Sequence, residues 1–423
     1  MKTFSLLALL ALVALPLSAQ QDSASAPPIS VFLDCQSFDT FEACDFDFHR
    51  TEISLVNWVR DRQVADVHIL VTTQSTGAGG TEFTVAFIGL RQFSGMSDTL
   101  EFVSPPATSG DDKRRGIARV FRLGLVRFLA RTPAAERLSV TMTAPSGGSQ
   151  QTRPENDRWN AWVFQTSLDM FSQGEETFGF MNLRGRLNAD RVTERWKTRV
   201  NVNESYTQNR FEIDDTTDVV TIQRSYGGSV LQAKSLGSHW SAGFRMEGHS
   251  STYDNFLRVL SLFPAVEYNI FPYGESTRRQ LRIEYNVGYS HYAYRDTTIR
   301  DKLKEGMPIH RLRVAGAVRQ QWGSVDVEAQ AVNYLNEMSM YRVGIFSDVS
   351  LRLFKGFSLN VFGNYDIIED QFYLAKKDFT PAEILTRQFQ LGTSYRFFVG
   401  VGLSYTFGSI YNNVVNPRFG GGF

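Results

Sequence analysis

The stretch RQFQLGTSYRFFVGVGLSYTFGS, residues 387–409, decides how the rest of the chain is read. From Phe389 to Phe407 the odd positions run Phe, Leu, Thr, Tyr, Phe, Val, Val, Leu, Tyr, Phe. The even positions between them are Gln, Gly, Ser, Arg, Phe398, Gly, Gly, Ser and Thr. A strict period of two puts bulky residues on one face of a strand and small or polar ones on the other. Two settings produce that pattern: a soluble sheet over a core, or a strand with lipid on one side and a crowded interior on the other.

The same grammar fills the chain from about Trp159 onward. Met181, Leu183 and Leu187 alternate with Asn182, Arg184, Arg186 and Asn188. Trp196, Val200 and Val202 alternate with Lys197, Arg199 and Asn201, and Trp240, Phe244 and Met246 with Arg245 and Glu247. Leu281, Ile283 and Tyr285 alternate with Arg282, Glu284 and Asn286. Leu312 and Val314 alternate with Arg311, Arg313 and Arg319, and Val325 and Val327 with Asp326, Glu328 and Gln330. About twelve such runs can be traced. Short connections are expected at one end (LNADRVTE, SLGSH, YGESTRR, WGS, FKGF). Long polar ones are expected at the other (YTQNRFEIDDTTD, YRDTTIRDKLKEGMPI, IIEDQFYLAKKDFTPAE). That asymmetry is the habit of outer-membrane barrels, and Trp196, Trp240, Trp322, Tyr285, Tyr289 and Tyr405 suit their aromatic girdles. The reading is a membrane β-barrel of about twelve antiparallel strands over 158–409, closed so that no sheet edge is left exposed. Its lumen charges are expected at Arg184, Arg186, Lys197, Arg199, Arg245, Glu247, Arg282, Glu284, Arg311, Arg313, Asp326 and Glu328, with arginine in excess.

What precedes the barrel has other rules. MKTFSLLALLALVALPLSAQ carries Lys2, an apolar run and a small residue at Ala19, the layout of a secretory signal peptide over 1–19. Residues 29–142 mix helical and strand periods and are expected to form a small periplasmic α+β domain, ordered β-α-β-β-β-α-β. Its helices are placed at TEISLVNWVRDRQ and DDKRRGIARVFRLGLVRFLART, and its last strand at LSVTMTA. Arg114, Arg115, Arg119, Arg122 and Arg127 crowd the second helix, a solvated basic face or a contact for headgroups or an acidic partner. The chain has 2 cysteines, Cys35 and Cys44, and an exported protein with two is read as carrying one disulfide. The competing reading is a metal site with Asp34, Asp45, Asp47 and His49, whose spacing matches no zinc pattern. Residues 143–157 form a Gly/Ser/Gln/Pro-rich linker and 410–423 a tail. The formal net charge of +0 argues against a nucleic-acid partner.

From about Trp159 to Phe407 the chain resembles outer-membrane barrels of the salt-induced outer-membrane protein type, on WNAWVFQ, LNADRVTERWKTRVNVNESY and RRQLRIEYNVGYSHY. The layout of the first domain, with its ADVHILVTTQ…TEFTVAFIGL hairpin, resembles the N-terminal domains of TolB-like and curli-secretion-type periplasmic proteins. The first resemblance implies the outer membrane and no particular activity. The second implies an interaction or assembly module. GLSYTFG is similar to the C-terminal signal read by barrel assembly machinery, which makes Tyr405, Phe407 and the terminal Phe423 its candidate residues.

The six histidines are at 49, 68, 239, 249, 291 and 310. Ser290 and His291 are adjacent on a strand and point to opposite faces, so they cannot form a nucleophile–base pair with each other. No G-x-S-x-G, H-E-x-x-H or P-loop spacing occurs. The expectation is no enzyme and no cofactor. Instead we expect a porin-like or structural envelope protein, or a narrow, anion-favouring transporter, with lipid, assembly machinery and an unidentified periplasmic protein as partners. A lipid-acting outer-membrane enzyme and a soluble exported β-sandwich are the alternatives.

Overall fold

The structure, a computed structural model, describes residues 29–35, 44–77, 79–141, 157–214, 217–380, 383–384, 386, 388–409 and 418. The expected signal peptide, nearly all of the linker and tail, and Phe423 lie outside the described residues.

The first unit contains β1 (Ser30–Cys35), α1 (Phe46–Glu52), β2 (Asn57–Trp58), β3 (Val67–Ser75), β4 (Thr81–Gly89), β5 (Ser97–Ser104) and α2 (Gly110–Leu129). The sheet order is β2-β1-β3-β4-β5. β1 runs parallel to β2 and β3, and the other pairs are antiparallel. α2 starts where Ser109 caps it and lays Ile117, Phe121, Leu125 and Phe128 on the sheet. Gly124 is required there, because a side chain would overlap the ring of Phe87. Phe83, Phe87, Phe121 and Phe128 are each at most 1% exposed, and each such burial stabilises the unit by about 1.5–3 kcal/mol. A Cys35–Cys44 disulfide ties the end of β1 to the approach of α1.

Two expectations for this unit fail. The first helix is FDFHRTE, not TEISLVNWVRDRQ. Asp45 caps it by accepting from the backbone N–H of Phe48 at 2.9 Å, and no cap of that kind starts the later segment as a helix. There the Trp58 indole donates to the carbonyl of Ile53 at 3.0 Å, and the backbone joins β1 as the short edge strand β2. The last strand is not formed over its described part: residues 138–141 are irregular, with Val140 62% exposed, and the remainder of LSVTMTA lies outside the described residues.

The second unit is a single antiparallel meander of twelve strands. These are β6 (Trp162–Gly174), β7 (Phe178–Val192), β8 (Trp196–Asp214), β9 (Thr217–Ser235), β10 (Trp240–Ser251) and β11 (Phe256–Asn269). Then come β12 (Arg279–Tyr294), β13 (Lys304–Gln320), β14 (Gly323–Tyr334), β15 (Tyr341–Phe354), β16 (Phe357–Ile368) and β17 (Tyr395–Tyr405). Each pairs only with its sequence neighbours, so the fold class read from the alternation is the one observed. Closure is not: among the described residues β6 and β17 are not paired, and the sheet is open along that seam. The register carries one set of residues to a concave face holding buried Phe263, Asn286, Ser290, Met307 and Ala315. The other set, including Leu168, Leu187, Leu262, Val399 and Leu403, faces outward and is exposed.

The loops differ in detail from those expected. YTQNRFEIDDTTD is mostly strand, because β8 runs on to Asp214 and β9 begins at Thr217, the two pairing far past their neighbours. The second expected long loop shrinks to 295–303, since β13 already begins at Lys304. Only 369–394 is long, and it takes in 387–394, so the opening alternation overshoots the strand it announces. Phe389 and Leu391 belong to that connection, where the backbone N–H of Gln390 donates to the carbonyl of Tyr253 at 3.0 Å.

Candidate functional site: an interior covered at both ends

The twelve charged residues singled out in the sequence all sit on the concave face, linked strand to strand by register. Several are paired. Arg199 lies 3.3 Å from Asp190, Arg282 3.6 Å from Glu267, Arg313 3.1 Å from Glu328, and Arg186 3.3 Å from Asp169. Arg319 meets Asp326 at 3.1 Å, and Arg245 stands 3.7 Å from Glu247. Arg311 stacks over the Phe263 ring at 4.9 Å, and Glu284 accepts from the Asn286 amide at 2.9 Å. Arg184 and Lys197 form no ion pair among the described residues. Sequence reasoning missed Asp169, Asp190, Glu267 and Asp348, which share this face. Arg319, Arg342, Arg352, Arg396 and Asp366 share the face as well, so basic groups still outnumber acidic ones there, by a smaller ratio than the sequence reading gave. The signal was available, since each of the four falls in the polar phase of its strand.

The end with the long connection is covered from within. Phe372 and Tyr373, from the segment between β16 and β17, are buried with Tyr292, Tyr294, Met307 and Tyr334. Phe372 meets Tyr292 and Tyr334 edge-on, both at 5.2 Å. Asn255, at φ 61°, donates to the carbonyls of Tyr373 and Asp296, both at 3.0 Å, and pins the segment. Arg342 holds Asp370 with two bonds of 2.8 and 3.1 Å. Thr298 bridges Ala375, which joins the 295–303 loop to the same cover.

The end with the short turns is covered by the first unit. Arg352, at the end of β15 on the concave face, grips Asp34 of β1 with both guanidinium nitrogens, one bond being 2.6 Å. The Asp34 side chain has no exposure and Arg352 retains 33%. His68 of β3, also fully buried, stands behind with Nε2 3.1 Å from Asp34. Burial is the largest influence on Asp34 and pushes its pKa up, but the His68 hydrogen bond and the Arg352 charge outweigh it and hold the carboxyl below its usual range. Burial also dominates at His68 and lowers its pKa against the pull of Asp34, so the ring is neutral at pH 7. As a neutral ring it donates from Nε2 to the carboxylate. Arg62 adds a 2.8 Å bond to Gln321 in the β13–β14 turn. Across the mouth, a side chain at Gly77 would overlap Val192 beside the β7–β8 turn. The first unit thus touches opposite parts of the rim. Nothing in the sequence marked Asp34–Arg352, because partners 318 residues apart leave no spacing to read.

The other candidates take ordinary roles. Asp45 caps α1 and meets Arg114 at 3.1 Å, Asp47 pairs with Arg50, and His49 is buried against Phe121. With Asp34 spent on Arg352, the four do not form one site, and no metal-binding group occurs among the described residues. On α2, Arg114 and Arg115 share Asp111, Arg122 meets Glu52 and Arg127 meets Asp98, which neutralises most of its basic face. Ser290 is buried against Ser261 at 2.7 Å while His291 faces outward. His249 shares a cavity of about 530 Å³ with Ser225, Ser250 and Ser251, yet among the described residues it hydrogen-bonds to none of them. Tyr405 ends β17 and stacks on Phe407 at 5.5 Å.

No known protein family and no curated protein matches the chain. Among solved structures, the translocator domain of the autotransporter NalP from Neisseria meningitidis is similar at 12% identity, over 58% of this chain and 81% of that one, with a TM-score of 0.21. A likeness so low carries no argument, and the fold rests on the strand order and register given above.

Proposed function

We propose that the chain is an outer-membrane β-barrel whose N-terminal domain sits in the periplasm as a docked cap, and that it serves the envelope as an anchored platform rather than an open pore. The observation that carries the membrane part is the facing. Each of the twelve strands carries an apolar band on its outer surface, with Val399 and Val401 each 66% exposed, and no second sheet covers it among the described residues. A soluble protein does not leave so wide an apolar surface to water. Trp196, Trp240, Trp322 and Tyr405 gather toward the short-turn end, where an interfacial girdle belongs. Among the described residues no helix is long and apolar enough to cross a membrane, so strands would do it. In lipid the unpaired edges of β6 and β17 have each other as partners, and pairing them closes the barrel.

The two covers support the platform role. A second reading, narrow regulated transport, draws on the charged interior between them. Conductance separates the two. Purified protein in planar bilayers is expected to pass no steady current. A steady open-state current from the wild type would overturn the platform reading in favour of transport.

A further inference from the structure

Between the edge of the N-terminal sheet and the β15–β16 turn lies a cavity of about 460 Å³, a size suited to a small ligand. It is strongly positive. Arg50, Arg60, Arg62, Arg352 and Lys355 line it, against the carboxylates Asp34 and Asp61 only. Asp34 is committed to Arg352 and His68. Asp61 accepts from the backbone N–H of Gln63 at 2.8 Å. Arg62 is used on the neutral amide of Gln321. Among the described residues Arg60 and Lys355 have no carboxylate partner. Arg50 is held below its usual pKa by burial, against the pull of Asp47, and the nearby charge of Arg60 adds to the lowering, a sign that the guanidinium groups crowd one another. Apart from Gln63, Ser358 and Thr406 the remaining side chains are apolar, with Phe354 and Phe357 stacked at 4.7 Å. Phe354 is 59% exposed at the foot of the outer apolar face.

We propose that this cavity binds a phosphate-bearing anion, the phosphate held by Arg60 and Lys355 and an apolar portion lying against Phe354 and Phe357. Guanidinium and ammonium donors suit phosphate oxygens. The neighbouring rings suit the glycerol and first methylenes of a lipid in the adjacent leaflet, and that source of phosphate rests on the membrane reading above.

The test is calorimetric titration of the full chain in nonionic detergent, with dihexanoyl phosphatidylglycerol below its micellar concentration and, separately, with inorganic phosphate. Saturable binding is expected, weakened roughly tenfold or more in the Arg60→Gln/Lys355→Gln variant. Tighter binding of the lipid assigns the site to a headgroup, and equal binding assigns it to free phosphate. No saturable binding of either, or equal binding by wild type and variant, overturns the proposal. Heat-modifiable gel migration is run on every sample. If the double variant loses it, the single Arg60→Gln variant replaces it. Absent binding with an intact shift counts against the cavity alone, whereas a missing shift in the wild type counts against the barrel.

Discussion

Arg352 and Asp34 differ in what each loses when its partner goes. Asp34 has no exposure, so Arg352→Ala leaves a carboxylate buried without its countercharge and is expected to weaken docking by on the order of 3 kcal/mol. Asp34→Asn is expected to cost less, since Arg352 is one-third exposed and its guanidinium can turn to water. Protection of the N-terminal unit from limited proteolysis, with the barrel retained, measures both, and equal loss in the two variants would contradict the assignment. The same residues set a pH dependence. Asp34 and His68 both have folded pKa values lowered from their unfolded ones. Their contribution is therefore present at neutral pH and lost on acidification, from about pH 6.5 downward for His68 and below about pH 3.9 for Asp34. Docking is expected to be weaker at pH 5 than at pH 7.5, with a smaller difference in His68→Asn. Identical protection at both pH values in the wild type would count against this. At this scale the sequence was least informative: the charges of the concave face were legible because they repeat at two-residue spacing, whereas the latch joins residues with no shared pattern.

The strands are where local sequence speaks most clearly. Alternation marked the named runs that became β7, β8, β10, β12, β13, β14 and β17, while β9, β11 and β15 entered only through the total of about twelve, and register then fixed which face was which. It failed where alternation continues past the hairpin partner, as at Phe389 and Leu391, and where polar residues extend a strand beyond the apolar band, as in β8 and β9. Period two reports local backbone, not whether a neighbour is there to pair with. The first helix was misplaced for a related reason. Ile53, Leu55, Val56 and Val59 have helical spacing, but the capping Asp45 starts the helix earlier and Trp58 closes the turn that follows. A facing test suits this scale. Val361 and Asn360 are neighbours on β16, one outward and one on the concave face. Val361→Arg is expected to lower insertion by roughly 2–4 kcal/mol if it lies near mid-membrane, and Asn360→Arg by far less. Folding yield into vesicles measures the difference, and equal yields would contradict the facing. Asn286 is a poorer control, being only 1% exposed and directly opposite Arg311.

For the whole molecule, the two covers and the open seam make different demands. The aromatic cover at the long-loop end is held by apolar burial and by Asn255, features internal to the barrel unit. The other cover depends on a separate unit with its own core, held by the Arg352 latch, the Arg62–Gln321 bond and contact near Gly77. The sequence announced two units and a membrane-type exterior, but not that one would sit across the mouth of the other, because docking depends on shape and a few long-range pairs. The seam is the point at which the account is most exposed, since an unclosed sheet with an apolar exterior has neither lipid-compatible edges nor a soluble core. The most direct measurement is therefore membrane fractionation followed by gel migration of the detergent-extracted protein, with and without boiling. Residence in the outer membrane and a mobility shift on boiling are the results expected of a closed, folded barrel. A soluble protein that migrates alike in both lanes would contradict the account and require the twelve strands to cover a core of their own.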